Sequence, residues 1–385
     1  MPQNKQCMGL VTEIGAGLAA MTLLGVGIHG AGAEEDDLAE MLGDLSLWDQ
    51  SFNLRLGAGH NDNLLLSNLN EESSPMLVSG FDLTLFRLPI DGNHLNFFAS
   101  LDDRRYPEGQ AVPSEQTVLA VAQARRDFSE AWLGGLTGQY FYQNQVVDAS
   151  LTEADVTTLP VQGHQFVTTT DWRWRSHSVW WLQADLSGQR QLFEQELLDD
   201  YWQYGPKLSL GWNYRHKSDV ELGYEFSRRD YASREQYTAG GLPVAGTRLH
   251  YLNHGVELAW RHHFDEAQRW RLYSRLGWSR NEDNGSGYFN FDRYLASSQL
   301  RYRNDPWEVR LQARITWYEY DLQRSDVDPN DERQRTLVSL GARLERKISR
   351  AVRLVAEYDF EQAVSNLSFD EYTANVVSLG MDWQF

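Results

Sequence analysis

The chain has 385 residues, a formal net charge of −19 and a mean hydropathy of −0.54. That average is too polar for a bundle of membrane helices, and past the N-terminus no apolar run approaches the roughly 20 residues a spanning helix needs. The acidic surplus argues against a nucleic-acid partner, because neutralising phosphates takes an excess of Lys and Arg, and the single cysteine, Cys7, rules out an intrachain disulfide and a cysteine metal site.

Residues 1–33 read as a secretory signal peptide. Lys5 gives a basic start, residues 16–26 are mostly small and apolar, and Ala31-Gly32-Ala33 supplies an A-x-A cleavage pattern. Cys7 lies upstream of the apolar stretch, so it is not placed as a lipoprotein cysteine. Residues 34–49 open with Glu34-Glu35-Asp36-Asp37, and Leu38, Met41, Leu42, Leu45 and Leu47 recur at helical spacing. They are expected to form a short amphipathic helix in a periplasmic N-terminal segment.

From residue 50 to residue 385 the pattern has period two, the strand signature, because successive side chains point to opposite faces. In 307–317, Trp307, Val309, Leu311, Ala313, Ile315 and Trp317 form one face; Glu308, Arg310, Gln312, Arg314 and Thr316 form the other. The same alternation recurs around Leu208, Val220, Val256 and Val352. Many segments hold about ten alternating residues, the length a tilted strand needs to cross an outer membrane. Short turns near Ser129, Ser176, His216, Asp265, Asn304 and Ser349 alternate with long polar loops near 65–75, 105–116, 145–164, 191–205, 231–248, 282–292, 323–333 and 364–371. Short periplasmic turns and long external loops are the habit of outer-membrane barrels. The expected fold is all-β: an antiparallel up-and-down transmembrane β-barrel of about sixteen strands, with about fourteen as the alternative.

The aromatics sort by height along these strands. Trp172, Trp174, Trp180, Trp212, Tyr214, Trp260, Trp270, Trp307 and Trp383 fall beside short turns or the C-terminus and are expected at one membrane interface; Trp317, with Phe226, Trp278, Tyr358 and Phe360, falls toward the other.

The chain ends Leu379-Gly380-Met381-Asp382-Trp383-Gln384-Phe385, with apolar residues alternating back from a terminal Phe. This resembles the C-terminal signature of bacterial outer-membrane β-barrel proteins, which implies the cell outer membrane as location, Phe385 as an assembly signal, and the barrel-assembly machinery, outer-membrane lipid and lipopolysaccharide as partners. Gly57-Ala58-Gly59-His60-Asn61-Asp62-Asn63 is similar to the Gly-rich, Asp-Asn opening of β-barrel porins, including barrels associated with exopolysaccharide export. The bare structural reading of that stretch is a tightly packed strand followed by a polar turn.

With the apolar faces toward lipid, the other faces line the lumen. Pore-lining candidates are the basic Arg173, Arg175, Arg271, Arg275, Arg301, Arg310, Arg314, Arg343 and Arg353, and the acidic Asp185, Glu221, Glu225, Glu257, Glu308, Glu345, Glu357 and Asp359. Such rows can polarise a passage and select solutes by charge and size, or pair across strands and stabilise a polar interior. The leading expectation is a porin-like channel for passive diffusion of small hydrophilic solutes, with 145–164 as an infolded constriction loop. A conduit or sleeve for polysaccharide or for a partner protein is the second, and the acidic N-terminal helix then offers a docking element for a periplasmic partner. A homo-oligomer is left open. An outer-membrane hydrolase is third: His60 with Asp62 is the best acid–base pair, but no nucleophile accompanies it. Asp326, Asp328, Asn330, Asp331 and Glu332 form an oxygen-rich loop, read as a solvated acidic loop rather than a Ca²⁺ site. No motif calls for a cofactor or a metal.

Overall fold

The computed structural model describes residues 48–87, 92–148, 158–176, 179–195 and 198–385. The expected signal peptide and nearly all of the N-terminal segment lie outside these residues. Among the described residues eighteen strands follow one another: β1 (Trp48–Asn61), β2 (Ser74–Arg87), β3 (Asn93–Arg105), β4 (Ser114–Asp127), β5 (Trp132–Asp148), β6 (Thr158–Ser176), β7 (Trp180–Phe193), β8 (Tyr201–Arg215), β9 (Ser218–Tyr231), β10 (Gln236–Tyr237), β11 (Pro243–Val244), β12 (His250–His263), β13 (Trp270–Asp283), β14 (Phe291–Asn304), β15 (Trp307–Arg324), β16 (Glu332–Lys347), β17 (Val352–Ser365) and β18 (Tyr372–Gln384). β10 and β11 make a small hairpin within the loop between β9 and β12. The other strands form a closed 16-strand antiparallel barrel in which each pairs with its sequence neighbours. β1 starts at Trp48, two residues before the boundary read from the sequence.

Closure is made by β1 against β18, in register from Asn53↔Gln384 to Asn61↔Val376. Satisfying every strand edge is what lets a sheet exist in lipid. The seam is tight because glycines face each other: Gly57 pairs with Gly380, and a Cβ on Gly57 would lie 2.8 Å from the Leu379 carbonyl oxygen. Phe385 adds two backbone hydrogen bonds to Phe52 (3.3 and 2.9 Å), so the last residue helps complete the seam.

The expected loop between β5 and β6 is shorter than 145–164. Strand pairing runs on to Asp148↔Thr158, so the alternating pattern persists through residues that look like polar loop in sequence. Residues 149–157, the tip of that loop, lie outside the described residues. The most extended described connection is 232–249, and it contains the β10–β11 hairpin.

Candidate functional site

The outer wall is apolar all round. Leu186, Leu208, Leu276 and Leu379 are 60, 53, 56 and 66% exposed, and Leu56, Leu136, Leu182, Leu222, Leu258, Leu311, Ile315 and Leu344 join them on the same face. An apolar surface of that extent is untenable in water, where patches of a few hundred Å² already mark a contact site. It is the lipid face of a membrane barrel.

Aromatic rows bound this face. At the short-turn end, Trp180 stacks on Trp212 (ring centroids 5.7 Å), Trp212 meets Tyr214 (5.5 Å), and Tyr214 stacks on His262 (6.0 Å). Trp260 donates Nε1–H to the Tyr214 hydroxyl at 2.8 Å. Trp172 stacks on Phe128, Trp174 pairs with Trp132, Trp270 contacts Tyr302, and Arg346 lies over the Trp307 ring. Trp383 on β18 pairs with Leu54 on the outer face. At the opposite end, Trp317 contacts Tyr294, and Trp278 donates to Asp292 at 3.0 Å. Exposed Trp202 and Tyr204 extend this second row. The sequence reading missed them by placing β8's first residues in a loop. The two rows fix the membrane interfaces, because indole and phenol rings favour the level where apolar and polar solvent meet. The chain is therefore a transmembrane barrel of the outer-membrane type.

Alternation then puts all seventeen pore-lining candidates on the inner face, and ten of them fall in two sectors of opposite predominant sign. Asp185 (β7), Glu221 and Glu225 (β9) and Glu257 (β12) make an acidic sector with Asp219. Arg271 and Arg275 (β13), Arg301 (β14), Arg310 and Arg314 (β15) and Arg343 (β16) make a basic one. Pairings Arg271↔Arg301, Arg301↔Arg310 and Arg310↔Arg343 set four guanidinium groups in one row across four strands. Like charges directly opposite repel, so the row needs carboxylates. Glu308 serves Arg301 (2.8 Å) and Arg310 (3.2 Å). Arg343 pairs with Glu345 (2.7 Å), Glu357 and Asp382 (3.0 Å), and Arg353 reaches Glu345 at 3.3 Å. Asp382 passes the network over the seam to Arg55 (3.2 Å), which also holds Asp102 at 3.1 Å. Arg271 makes no hydrogen bond or ion pair among the described residues. Asp359 lies one inward step above Glu357 on β17.

The acidic sector is bridged less completely: Arg275 pairs with Glu257, Arg261 with Asp219 at 3.6 Å, and Lys207 with Glu221 at 3.9 Å. Arg173 gives Nε–H to Gln183 at 2.7 Å and stacks over Trp181. Trp181 points inward and lies flat over Gly211, where any side chain would intrude into the indole. Arg175, on the same face, is exposed at the short-turn end. Arg55, Asp82, Asp102 and Asp382 were absent from the sequence-derived set, although Arg55 between Leu54 and Leu56 carried the alternation that would have placed it inward.

The lumen is not polar throughout. Phe98, Leu119, Val121 and Phe141 on β3–β5 pack inside with Val147, Val161 and Leu198. β4 carries small apolar residues on both faces, so alternation is silent there. At the external end residues of four more loops fold inward. Leu64 and Leu66 of the loop after β1 pack on Met76, Tyr372, Ala374 and Val376. Leu249 and Phe289 pack on Tyr201, Tyr231 and Tyr251. Asp370 of a 3-10 turn at Ser368–Asp370 pairs with buried Arg333.

The Gly-rich motif explains the first of these infoldings. Asn63 donates Nδ2–H to the Ser67 and Thr373 carbonyls, both at 2.9 Å, and its Oδ1 accepts from Ser67 N–H at 3.2 Å. Asp62 accepts from Asn375 N–H (2.6 Å) and Nδ2–H (2.7 Å). His60 is on the outer face, its Nδ1 3.0 Å from the Ser74 carbonyl oxygen. His60 and Asp62 therefore have separate structural partners and do not form an acid–base pair. Among the described residues no three His, Asp or Glu side chains converge as a metal site. Asp326 accepts from Ser368 Oγ–H (2.6 Å) and N–H (3.1 Å), and Asp328 accepts from Asn330. The Ser368 hydrogen bonds hold the Asp326 carboxyl below its ordinary 3.8.

No family model matches the sequence, and no curated protein matches it. Among solved structures the chain is similar to Acinetobacter baumannii OccAB4, with a TM-score of 0.48 and 8% identity over 88% of this chain and 99% of that one. It is similar also to the outer membrane protein OprD of Pseudomonas aeruginosa (TM-score 0.45, 11% identity, 87% and 94% covered) and to OmpT, an outer membrane protein of Vibrio cholerae (0.43, 12%, 88% and 97%).

Proposed function

We propose that this chain is a non-enzymatic outer-membrane channel through which small hydrophilic solutes diffuse passively. One observation carries the reading. Inward-facing charged side chains between the two aromatic rows border free space: the Lys207, Glu221 and Glu257 side chains are 28, 29 and 25% exposed. Lipid covers the other side of that wall, so this space belongs to the lumen. A barrel of about sixteen strands is wide enough for an aqueous path.

The charge pattern supports selection by charge as well as size. Arg301 and Arg310 share one close carboxylate, Glu308, and Arg271 has no ion pair among the described residues, which leaves β13–β15 electropositive; Glu221, Glu225 and Glu257 make β9 and β12 electronegative. A solute that carries charge is drawn along one sector, and the inward loops narrow the external mouth and set the size limit.

Liposome swelling with sugars and organic anions of increasing size tests this. Uptake that falls steadily with solute size supports a diffusion channel. Vesicles that stay impermeable to every solute, with the barrel folded by heat-modifiable mobility, refute it and favour a sleeve filled by a partner.

A further inference from the structure

The external loops after β15, β17, β1 and β3 follow one another around the rim, because β18 closes on β1. Hydrogen bonds tie them together, with Ser368 as the node. Its carbonyl accepts Nδ2–H from Asn68 at 3.1 Å, and it donates N–H and Oγ–H to Asp326 at 3.1 and 2.6 Å. Glu72 accepts the Ala111 N–H at 3.2 Å, and Leu64, Tyr106, Val112 and Tyr372 pack together beneath. At ordinary strand spacing this arc is about 30 Å long.

Each residue of the node is followed by a large apolar one: Leu69 after Asn68, Val327 after Asp326, Phe369 after Ser368. These three are 73, 79 and 45% exposed. Each Cα is one step of about 3.8 Å from a residue held at the node, so three separate loops bring their apolar side chains to one patch. Single exposed apolar residues are ordinary, but a gathered patch marks a contact surface. Lipid does not cover it. β15 runs on from Trp317 at the interface to Arg324, which lifts Val327 roughly 15 Å clear of that level.

Around the patch the charge has one sign. Residues 62–73, 106–113, 325–331 and 366–371 contain no Lys or Arg, and Glu71, Glu108, Asp326, Asp328 and Asp331 are exposed. Cations at the adjoining strand ends have carboxylates of their own: Arg105 has Asp103 (2.8 Å), Arg324 has Glu332 (3.6 Å), and Arg333 has Asp370. Among the described residues no three acidic or His side chains converge on one point, so these carboxylates suit separate ammonium or guanidinium groups rather than one metal ion. A second copy presenting the same acidic surface is repelled, and so are lipopolysaccharide phosphates.

We propose that this four-loop platform binds a cationic amphipathic polypeptide segment from outside the cell. The segment's apolar side chains cover Leu69, Val327 and Phe369, and its Lys or Arg residues meet the surrounding carboxylates. The charges steer the encounter, and the apolar patch holds the bound segment. The site uses no luminal group, so the inference stands whether or not the barrel conducts.

Three fluorescent peptides of about twelve residues, which reach about 40 Å extended, test it. One alternates Lys with Leu, one Lys with Ser, and one Glu with Leu. Binding is read by fluorescence anisotropy on the full chain in phosphatidylcholine nanodiscs, with the signal of empty discs subtracted. The Lys–Leu peptide is expected to bind at least tenfold tighter than either of the others, and to weaken severalfold in about 0.5 M salt. Leu69→Ser/Val327→Ser removes two exposed side chains and is expected to weaken the Lys–Leu peptide roughly tenfold, toward the Lys–Ser value. Equal binding of the two Lys peptides overturns the proposal, because the apolar patch then contributes nothing. Equal binding of the Glu–Leu peptide overturns it on the charge. Unchanged Lys–Leu binding by the folded double variant places the peptide elsewhere and also overturns it. The peptide comparison needs no variant, so it decides even if the double substitution misfolds.

Discussion

Arg343 on β16 reaches past β17 to Asp382 on β18, at 3.0 Å, so one guanidinium spans three strands on the inner face of the wall. Through Asp382 it is joined to Arg55 on β1, and the closing seam is tied by charge as well as by backbone hydrogen bonds. Arg343→Met leaves Glu345, Glu357 and Asp382 facing one another without their cation. Removing one partner of a buried pair costs about 3–5 kcal/mol, and the low end, about 3 kcal/mol, is expected here because Glu357 and Asp382 are partly exposed. Urea unfolding in lipid vesicles measures it, with Arg303→Ala on the exposed rim as a reference expected within about 0.5 kcal/mol of wild type. Equal stability of the two variants contradicts the assignment.

The lipid face is tested by placing one charge on each side of a strand. Leu186 and Gln189 lie three residues apart on β7 and point to opposite faces. Leu186→Arg puts a guanidinium in the hydrocarbon and is expected to destabilise by about 2–4 kcal/mol. Gln189→Arg is expected to cost under about 1 kcal/mol. The difference is read from folding equilibria in bilayers; a reversed order means the faces are assigned the wrong way round.

Asn63 ties the first external loop inward with three hydrogen bonds and is buried. At about 1 kcal/mol each, Asn63→Ala weakens that attachment by about 3 kcal/mol. Faster proteolytic nicking between β1 and β2, with the barrel intact, is the expected result. Unchanged nicking would show that the Leu64 and Leu66 packing suffices alone.

The Asp326 contact with Ser368 ties the two loops that flank β16 and β17, and it depends on pH. The folded carboxyl titrates below 3.8, so its contribution is complete above the unfolded value and is lost as pH falls through the folded one. Hydrogen exchange of residues 325–331 and 366–371, compared at matched intrinsic rates from about pH 6 down to about pH 3, is expected to show protection lost only at the acid end. Asp326→Asn should flatten the profile.

Much of the barrel was legible in sequence because one face meets lipid and the other water. Most barrel strands from β8 onward carry that contrast, as Leu208 to Tyr214 or Trp307 to Trp317 show, and the aromatic rows mark where lipid ends. The contrast fades where both faces are apolar, as along Val118, Leu119, Ala120, Val121 and Ala122 of β4, and the inner cluster around Phe98 and Phe141 was hidden for that reason. Loop infolding was expected in 145–164, whose tip at 149–157 lies outside the described residues; Leu64, Leu66, Leu249, Phe289 and Asp370 of other loops also fold in. A few loop residues packed into a lumen have no period to betray them. The His60–Asp62 spacing looked chemical only because sequence adjacency does not reveal that one is held at the Ser74 carbonyl and the other at Asn375.

Single-channel recording in planar bilayers under a salt gradient tests the central claim, that the polarised lumen is an open path. Stable conductance steps are predicted. Arg271→Glu, which reverses the one row guanidinium without a partner among the described residues, is predicted to move the reversal potential toward cations, by roughly a twofold change in permeability ratio. Silent insertion of folded protein, or steps whose selectivity ignores that reversal, would contradict it.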